Sequence, residues 1–92
     1  MIIRIFTEGQ YELPDSALAL LHQLDGDAQS ALDSGDPQRF HVDYERLVDH
    51  IRREGTPLSA EDLRGSDLML PPSDISLREA TAEFHGHGLI PG

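Results

Sequence analysis

The stretch between Ser16 and Glu54 constrains the fold most, because apolar residues recur at helical spacing on both sides of a short joint. Steps of three and four residues align side chains on one face of a helix. The first stripe consists of Ala17, Leu20, Leu21, Leu24, Ala28, Ala31 and Leu32, and the second of Phe40, Tyr44, Leu47, Val48 and Ile51. Since each stripe must be buried, we predict two antiparallel helices, at 15–34 and 37–54, that cover each other.

The residues around the joint predict where these helices begin and end. Gly35 suits the left-handed conformation that stops a helix, and Gly55 is expected to end the second helix in the same way. Asp36 as a capping residue and Pro37 at the first helical position favour a new start. The apolar register resumes after Gly26, so the first helix is expected to continue, although a kink or a break there stays open.

The first thirteen residues predict a β-hairpin. Residues 2–6 are rich in β-branched and aromatic side chains, 7–10 supply a turn, and 11–13 alternate as a returning strand. Ile2 and Phe6 fall on the face opposite the other two isoleucines, so they need cover from the C-terminal segment or from a second subunit. If a second subunit supplies that cover, both residues are the candidate oligomer contacts.

The remaining residues, 56–92, predict shorter elements. A single turn is expected at 60–63, and residues 67–70 before two prolines are a candidate third strand. Ser76 followed by Glu79 is a capping-box pattern that opens a short helix at 77–84. The whole chain is thus expected to be a single α+β domain, 1–92, in which the hairpin packs on the helix pair.

The charge balance restricts the partners. The chain has 17 acidic and 7 basic residues, a formal net charge of −10, and all of its basic residues are arginines. Nucleic acids and anionic lipids are bound by neutralising phosphates, so neither is an expected partner and no membrane insertion is expected. A protein with a basic patch is favoured.

Four carboxylates gather around the end of the first helix and the joint, namely Asp25, Asp27, Asp33 and Asp36. Helix capping and solvation explain such residues in most proteins. A calcium loop would need oxygen ligands at alternating positions that end in a bidentate Glu, and that spacing is absent. The alternative is a docking patch for a basic partner, and these four residues are the candidate partner-binding set.

No pattern predicts catalysis, a metal or a cofactor. His85 and His87 are the most metal-like pair, but metal sites need three or four converging ligands, so a surface loop is the preferred interpretation. His41 and His50 are nine residues apart and face opposite sides of a helix, so with Asp49 they are assigned to a solvated polar face. The chain has neither a nucleophile elbow nor a phosphate-binding glycine loop. We expect it not to be an enzyme.

The expected location is the cytoplasm. The chain contains no cysteine, which excludes disulfides and thiolate chemistry. Its longest apolar run, 17–21, is far shorter than a membrane span, and no early basic-then-apolar segment resembles a signal peptide.

Three stretches, in order along nearly the full length, resemble the PspA-associated protein family, PspAA. They are Met1-Ile2-Ile3-Arg4-Ile5 with Glu8-Gly9-Gln10-Tyr11, then Gly55-Thr56-Pro57-Leu58, and finally the segment from Asp67-Leu68-Met69-Leu70-Pro71-Pro72-Ser73-Asp74 to Gly88-Leu89-Ile90-Pro91-Gly92. Asp25-Gly26-Asp27 departs from the family, whose helix is expected to run without glycine.

The resemblance implies a small accessory protein without enzymatic activity that works with PspA, the coiled-coil phage-shock protein of stressed membranes. It implies cytoplasmic location, with recruitment to the inner face of the membrane through that partner. The alternative class is a self-associating homodimer in which the hairpin edge pairs across a two-fold axis.

Overall fold

The computed structural model describes residues 1–59, 61–62 and 64–83. Its strands are β1 (Ile2–Ile5), β2 (Gly9–Glu12), β3 (Thr56–Pro57) and β4 (Leu68–Leu70), and its α-helices are α1 (Leu18–Ser34), α2 (Pro37–Glu54) and α3 (Leu77–Glu83). A 3-10 turn at Asp15–Ala17 leads into α1. The predicted α+β fold is confirmed. The predicted end of the last helix at residue 84, the histidines at 85 and 87, and parts of the predicted 60–63 turn lie outside the described residues.

The strands form one mixed sheet in the order β3-β2-β1-β4. β2 pairs antiparallel with both β1 and β3, whereas β4 runs parallel to β1. The sequence predicted the two hairpin strands and a strand at 67–70, which corresponds to β4. It did not predict β3. Two residues that include a proline carry no strand pattern, because such a pattern needs at least four residues of alternation.

The joint between α1 and α2 has the predicted geometry. Gly35 adopts a left-handed conformation, φ 73°, and its N–H donates to the Leu32 carbonyl at 3.1 Å. The Asp36 carboxylate accepts from the N–H groups of Gln38 and Arg39 at 3.1 and 3.2 Å. α1 is continuous through Gly26.

Gly55 ends α2 for a different reason from the one predicted. Its backbone is extended, with φ −84° and ψ 150°, so no left-handed stop occurs there. A Cβ atom at this position would lie 2.5 Å from the Ile51 carbonyl oxygen and 2.9 Å from the Cβ of Tyr11. Glycine is therefore required because a Cβ atom would collide with the last turn of α2 and with Tyr11 on β2.

The core lies between the helix pair and one face of the sheet. All five stripe residues of α2 are buried, and the rings of Phe40 and Tyr44 stack with centroids 5.5 Å apart. The sheet contributes Ile3 and Ile5 from β1, and Leu70 from β4. Alternation along β1 thus directs these residues to the helices, as the pattern predicts.

The predicted stripe of α1 is wrong at one position, and two polar residues are buried where polar surface was expected. Leu20 is 46% exposed, whereas Asp25 on α1 and His50 on α2 are buried. The Nε2 atom of His50 lies 3.0 Å from the Ala17 carbonyl oxygen. This hydrogen bond lets a histidine occupy a core position, which a search for apolar residues assigns to solvent.

The outer face of the sheet is partly covered by the chain itself. Since β3 and β4 lie at opposite edges, their connection crosses the sheet. Arg64 and Ser66 in this connection donate to Glu12 and Gln10 at 2.9 Å, and both acceptors lie on β2. Glu12 is directly opposite Ile2, which is buried, so the cover that Ile2 needs is provided within the single chain.

The hairpin turn is shorter than predicted and lies between β1 and β2 at residues 6–8. The Glu8 N–H donates to the Ile5 carbonyl at 3.0 Å, and Thr7 adopts φ 71°. Gly9 also has a positive φ, 130°, but it is already the first residue of β2. A β-branched residue is rare in the left-handed region, so the turn carries backbone strain at Thr7.

Candidate interaction surfaces

The most distinctive surface feature is an open groove at the carboxyl ends of β1 and β4. Because these strands are parallel, Phe6 and the residues after β4 meet at one edge of the sheet, next to the start of α3. The groove has a volume of about 440 Å³. It is lined by Phe6, Met69, Leu70, Pro71, Pro72, Asp74, Ile75 and Glu79.

Large apolar side chains stand open to water in this groove. Phe6 is 54% exposed and Met69 is 52% exposed, while Leu70 and Ile75 are buried and form its floor. Sequence reasoning placed Phe6 at a contact but did not identify Met69, because Met69 alternates with core residues on a three-residue strand. An exposed pair of large apolar residues above an apolar floor is typical of a binding surface.

Hydrogen bonds hold the walls of the groove in place. The Phe6 N–H donates to the Leu70 carbonyl at 2.9 Å, and the Ile75 N–H donates to the Pro72 carbonyl at 3.1 Å. The Tyr44 hydroxyl donates to the Pro71 carbonyl, which ties the proline pair to the middle of α2. Burial raises the pKa of Tyr44 well above its ordinary value, so this hydroxyl keeps its proton. The groove is therefore formed before any partner binds.

The charged residues that line the groove are both acidic. Glu79 closes the capping box of α3, in which its carboxylate accepts from the Ser76 hydroxyl at 3.0 Å and its N–H donates back at 3.2 Å. Asp74 lies in the turn before α3 and is exposed. Within the described residues, neither carboxylate forms an ion pair with an arginine, and both residues are exposed.

The turn beside the groove is fastened to the end of α2. The Glu8 carboxylate accepts two hydrogen bonds from the Arg52 guanidinium, which also donates to Asp49 at 2.7 Å. The hydrogen bond from Arg52 holds the pKa of Glu8 below its ordinary value. This contact fixes the position of the 6–8 turn and, with it, one wall of the groove.

The predicted acidic set does not form one patch. Asp25 is buried in α1, and Asp36 is engaged in capping α2. Asp27 and Asp33 are exposed, and Asp33 accepts from the Gln29 side chain at 2.9 Å. The joint between the helices therefore has three exposed carboxylates, of which Asp36 also caps α2.

The described part of the chain contains no group of three or more His, Asp or Glu side chains placed to hold a metal ion. None of its helices is both long enough and apolar enough to cross a bilayer. The predicted histidine pair at 85 and 87 lies outside these residues.

Comparison with known proteins gives one match. The family model described as PspAA, PspA-Associated protein, matches residues 1–92. No curated protein and no solved structure matches the chain.

Proposed function

The chain belongs to the PspA-associated protein family, and from this membership we propose that it is a non-catalytic accessory protein of the phage-shock response that binds PspA. The observation that carries the proposal is the extent of the family match, which includes all 92 residues. The formal net charge of −10 supports a partner with basic surface, since charge complementarity favours encounter and suppresses wrong partners.

The exposed carboxylates of the joint support a role in the encounter with PspA. Asp27 and Asp33 are free to act at a distance, because neither forms an ion pair with an arginine within the described residues. Exposed charges of this kind raise association rates more than they strengthen the final complex. Asp36 caps α2, and Asp25 is buried in α1, so Asp25 is not available for this encounter.

The proposed place of action is the inner face of a stressed membrane, which the protein reaches through PspA. The acidic surface disfavours direct contact with anionic lipids. In a vesicle flotation experiment with anionic liposomes, the chain should float only when PspA is present. Flotation of the chain alone would contradict recruitment through the partner.

Binding to purified PspA from the same cell tests the proposed function directly. The untagged chain should be retained by immobilised PspA at physiological salt and more strongly at low salt, because part of the attraction is electrostatic. No retention at either salt concentration would overturn the proposal.

A second candidate function is a homodimeric structural module. It is favoured by the 54% exposure of Phe6 and by the outer edge of β4, which pairs with no strand among the described residues. Light scattering distinguishes the two candidates, since a dimer of constant mass over a wide concentration range would support self-association. Phe6 is the proposed oligomer contact, whereas Ile2 is already buried in the single chain.

A further inference from the structure

We propose that the groove between β4 and α3 is the surface that binds PspA, and that it takes one amphipathic helix whose apolar face is flanked by basic residues. The inference rests on the proposed function and adds to it the docking site and the chemistry of the docking segment. It is carried by the exposed apolar pair, the fixed walls and the acidic rim of the groove.

The short edge of β4 and the volume of the groove favour a docked helix over an added strand. A partner strand would pair with the outer edge of β4, but β4 has only three residues and is followed by Pro71 and Pro72. Prolines have no N–H to donate, so a strand finds too short a ladder there. A volume of about 440 Å³ instead accommodates a few apolar side chains of a helix at i, i+3 or i+4 spacing.

The acidic residues of the groove favour basic residues beside the apolar face of the docked helix. Asp74 and Glu79 are the charged residues among those that line it, and both are acidic. A lysine or an arginine beside the apolar anchors would meet one of these carboxylates. A second copy of this chain is disfavoured as the occupant, because it would bring another net charge of −10 toward the same rim.

Two substitutions of matched exposure test the apolar part of the inference. Met69→Glu places a charge in the groove, and Val42→Glu places the same charge on α2, where the native side chain is 47% exposed and does not line the groove. Both sites are open to water, so both variants are expected to fold. In Met69→Glu, the introduced carboxylate would also lie opposite Arg4 in the β1–β4 pairing. Affinity for purified PspA should fall at least about tenfold in Met69→Glu and stay within about twofold in Val42→Glu.

A charge-matched pair tests the acidic rim. The double variant Asp74→Asn/Glu79→Gln should bind PspA about threefold to tenfold more weakly at low salt, and the loss should shrink as salt increases. The double variant Asp27→Asn/Asp33→Asn removes the same charge at the joint and should weaken binding less than the rim variant at each salt concentration.

The outcomes separate this inference from the proposed function. If the native chain binds PspA and Met69→Glu binds equally well, the groove assignment is overturned while the proposed function stands. If the native chain does not bind PspA, both are overturned. If sedimentation shows that the native chain is a dimer and that Met69→Glu is a monomer, the occupant is a second copy and the helix-docking inference is wrong.

Discussion

The groove and the helix joint are both exposed, but the joint presents polar groups to water whereas the groove presents apolar side chains. At the joint, Gly35 and the Asp36 carboxylate satisfy the ends of two helices, and the remaining carboxylates face water. At the groove, hydrogen bonds from Phe6 and Tyr44 hold apolar side chains that water does not stabilise. Gly35 and Asp36 at the joint are thus explained by folding, whereas the groove holds Phe6 and Met69 open without a folding benefit. A surface of the second kind indicates a partner.

The largest expected effect on stability comes from loss of the hydrogen bond between Tyr44 and Pro71, which anchors one wall of the groove. Tyr44→Phe removes the hydroxyl that donates to the Pro71 carbonyl and should lower the free energy of unfolding by about 1.5 kcal/mol, because a part-buried acceptor loses its donor. Chemical denaturation measures this change. Tyr11→Phe is the matched control, since its hydroxyl lies 3.5 Å from the Glu8 carboxylate and is exposed. Equal losses in the two variants would show that the anchor has no special role.

The next largest effect on stability is expected from loss of the Asp36 cap at the start of α2. Asp36→Ala should lower the free energy of unfolding by about 1 kcal/mol, because two N–H groups at the start of α2 lose their acceptor. Asp33→Ala, three residues away, removes a carboxylate that accepts only an exposed side-chain bond and should cost less than about 0.5 kcal/mol. Thermal unfolding of both variants checks the difference. A larger loss in Asp33→Ala would contradict the capping role.

A smaller, pH-dependent effect is expected at the turn beside the groove. Because Arg52 holds the folded-state pKa of Glu8 below its ordinary value of 4.5, this ion pair stabilises the protein above that pH, and the contribution is lost as pH falls through the folded-state pKa. Glu8→Gln should therefore be about 0.5 kcal/mol less stable near neutral pH and equal to the native protein in acid.

The matched control for that pair is Arg52→Gln. In its background, Glu8→Gln should have almost no effect at neutral pH, as a double-mutant cycle of the ion pair requires. Urea denaturation at several pH values measures both differences. A difference between Glu8→Gln and the native protein that persists unchanged below the folded-state pKa would contradict the assignment to Glu8.

An effect of similar size but opposite sign is expected at Thr7. Thr7→Gly should stabilise the protein by about 0.5 kcal/mol, because relief of the left-handed strain at φ 71° exceeds the added entropy of the unfolded chain. Thr56→Gly, in the extended strand β3, should destabilise instead. Denaturation midpoints of the two variants test this, and a destabilised Thr7→Gly would show that the threonine conformation is not strained.

How far the sequence could predict this molecule depended on how local the determining contacts were. The apolar residues of the buried face of α2 were all predicted, because every turn repeats an apolar residue. Leu20 was misplaced because α1 has apolar residues on more of its circumference than the sheet and α2 cover. Asp25 and His50 were missed because their burial depends on tertiary partners, such as the Ala17 carbonyl that lies 33 residues before His50.

The groove could not have been found from local patterns. Phe6 and Met69 are 63 positions apart, and only the parallel pairing of β1 with β4 brings them to one edge. No turn or short motif encodes that pairing, since a parallel neighbour is reached by a crossover connection. The four carboxylates of the joint, in contrast, lie within twelve consecutive residues, so the sequence alone identifies them as a group.

Hydrogen–deuterium exchange of the native chain, measured by mass spectrometry with and without purified PspA, tests the central claim most directly. Peptides that contain residues 66–79 and the 6–8 turn should exchange more slowly when PspA is present, while peptides across the joint, 27–39, should be unchanged. Protection of the joint together with unchanged exchange at the groove would contradict the account.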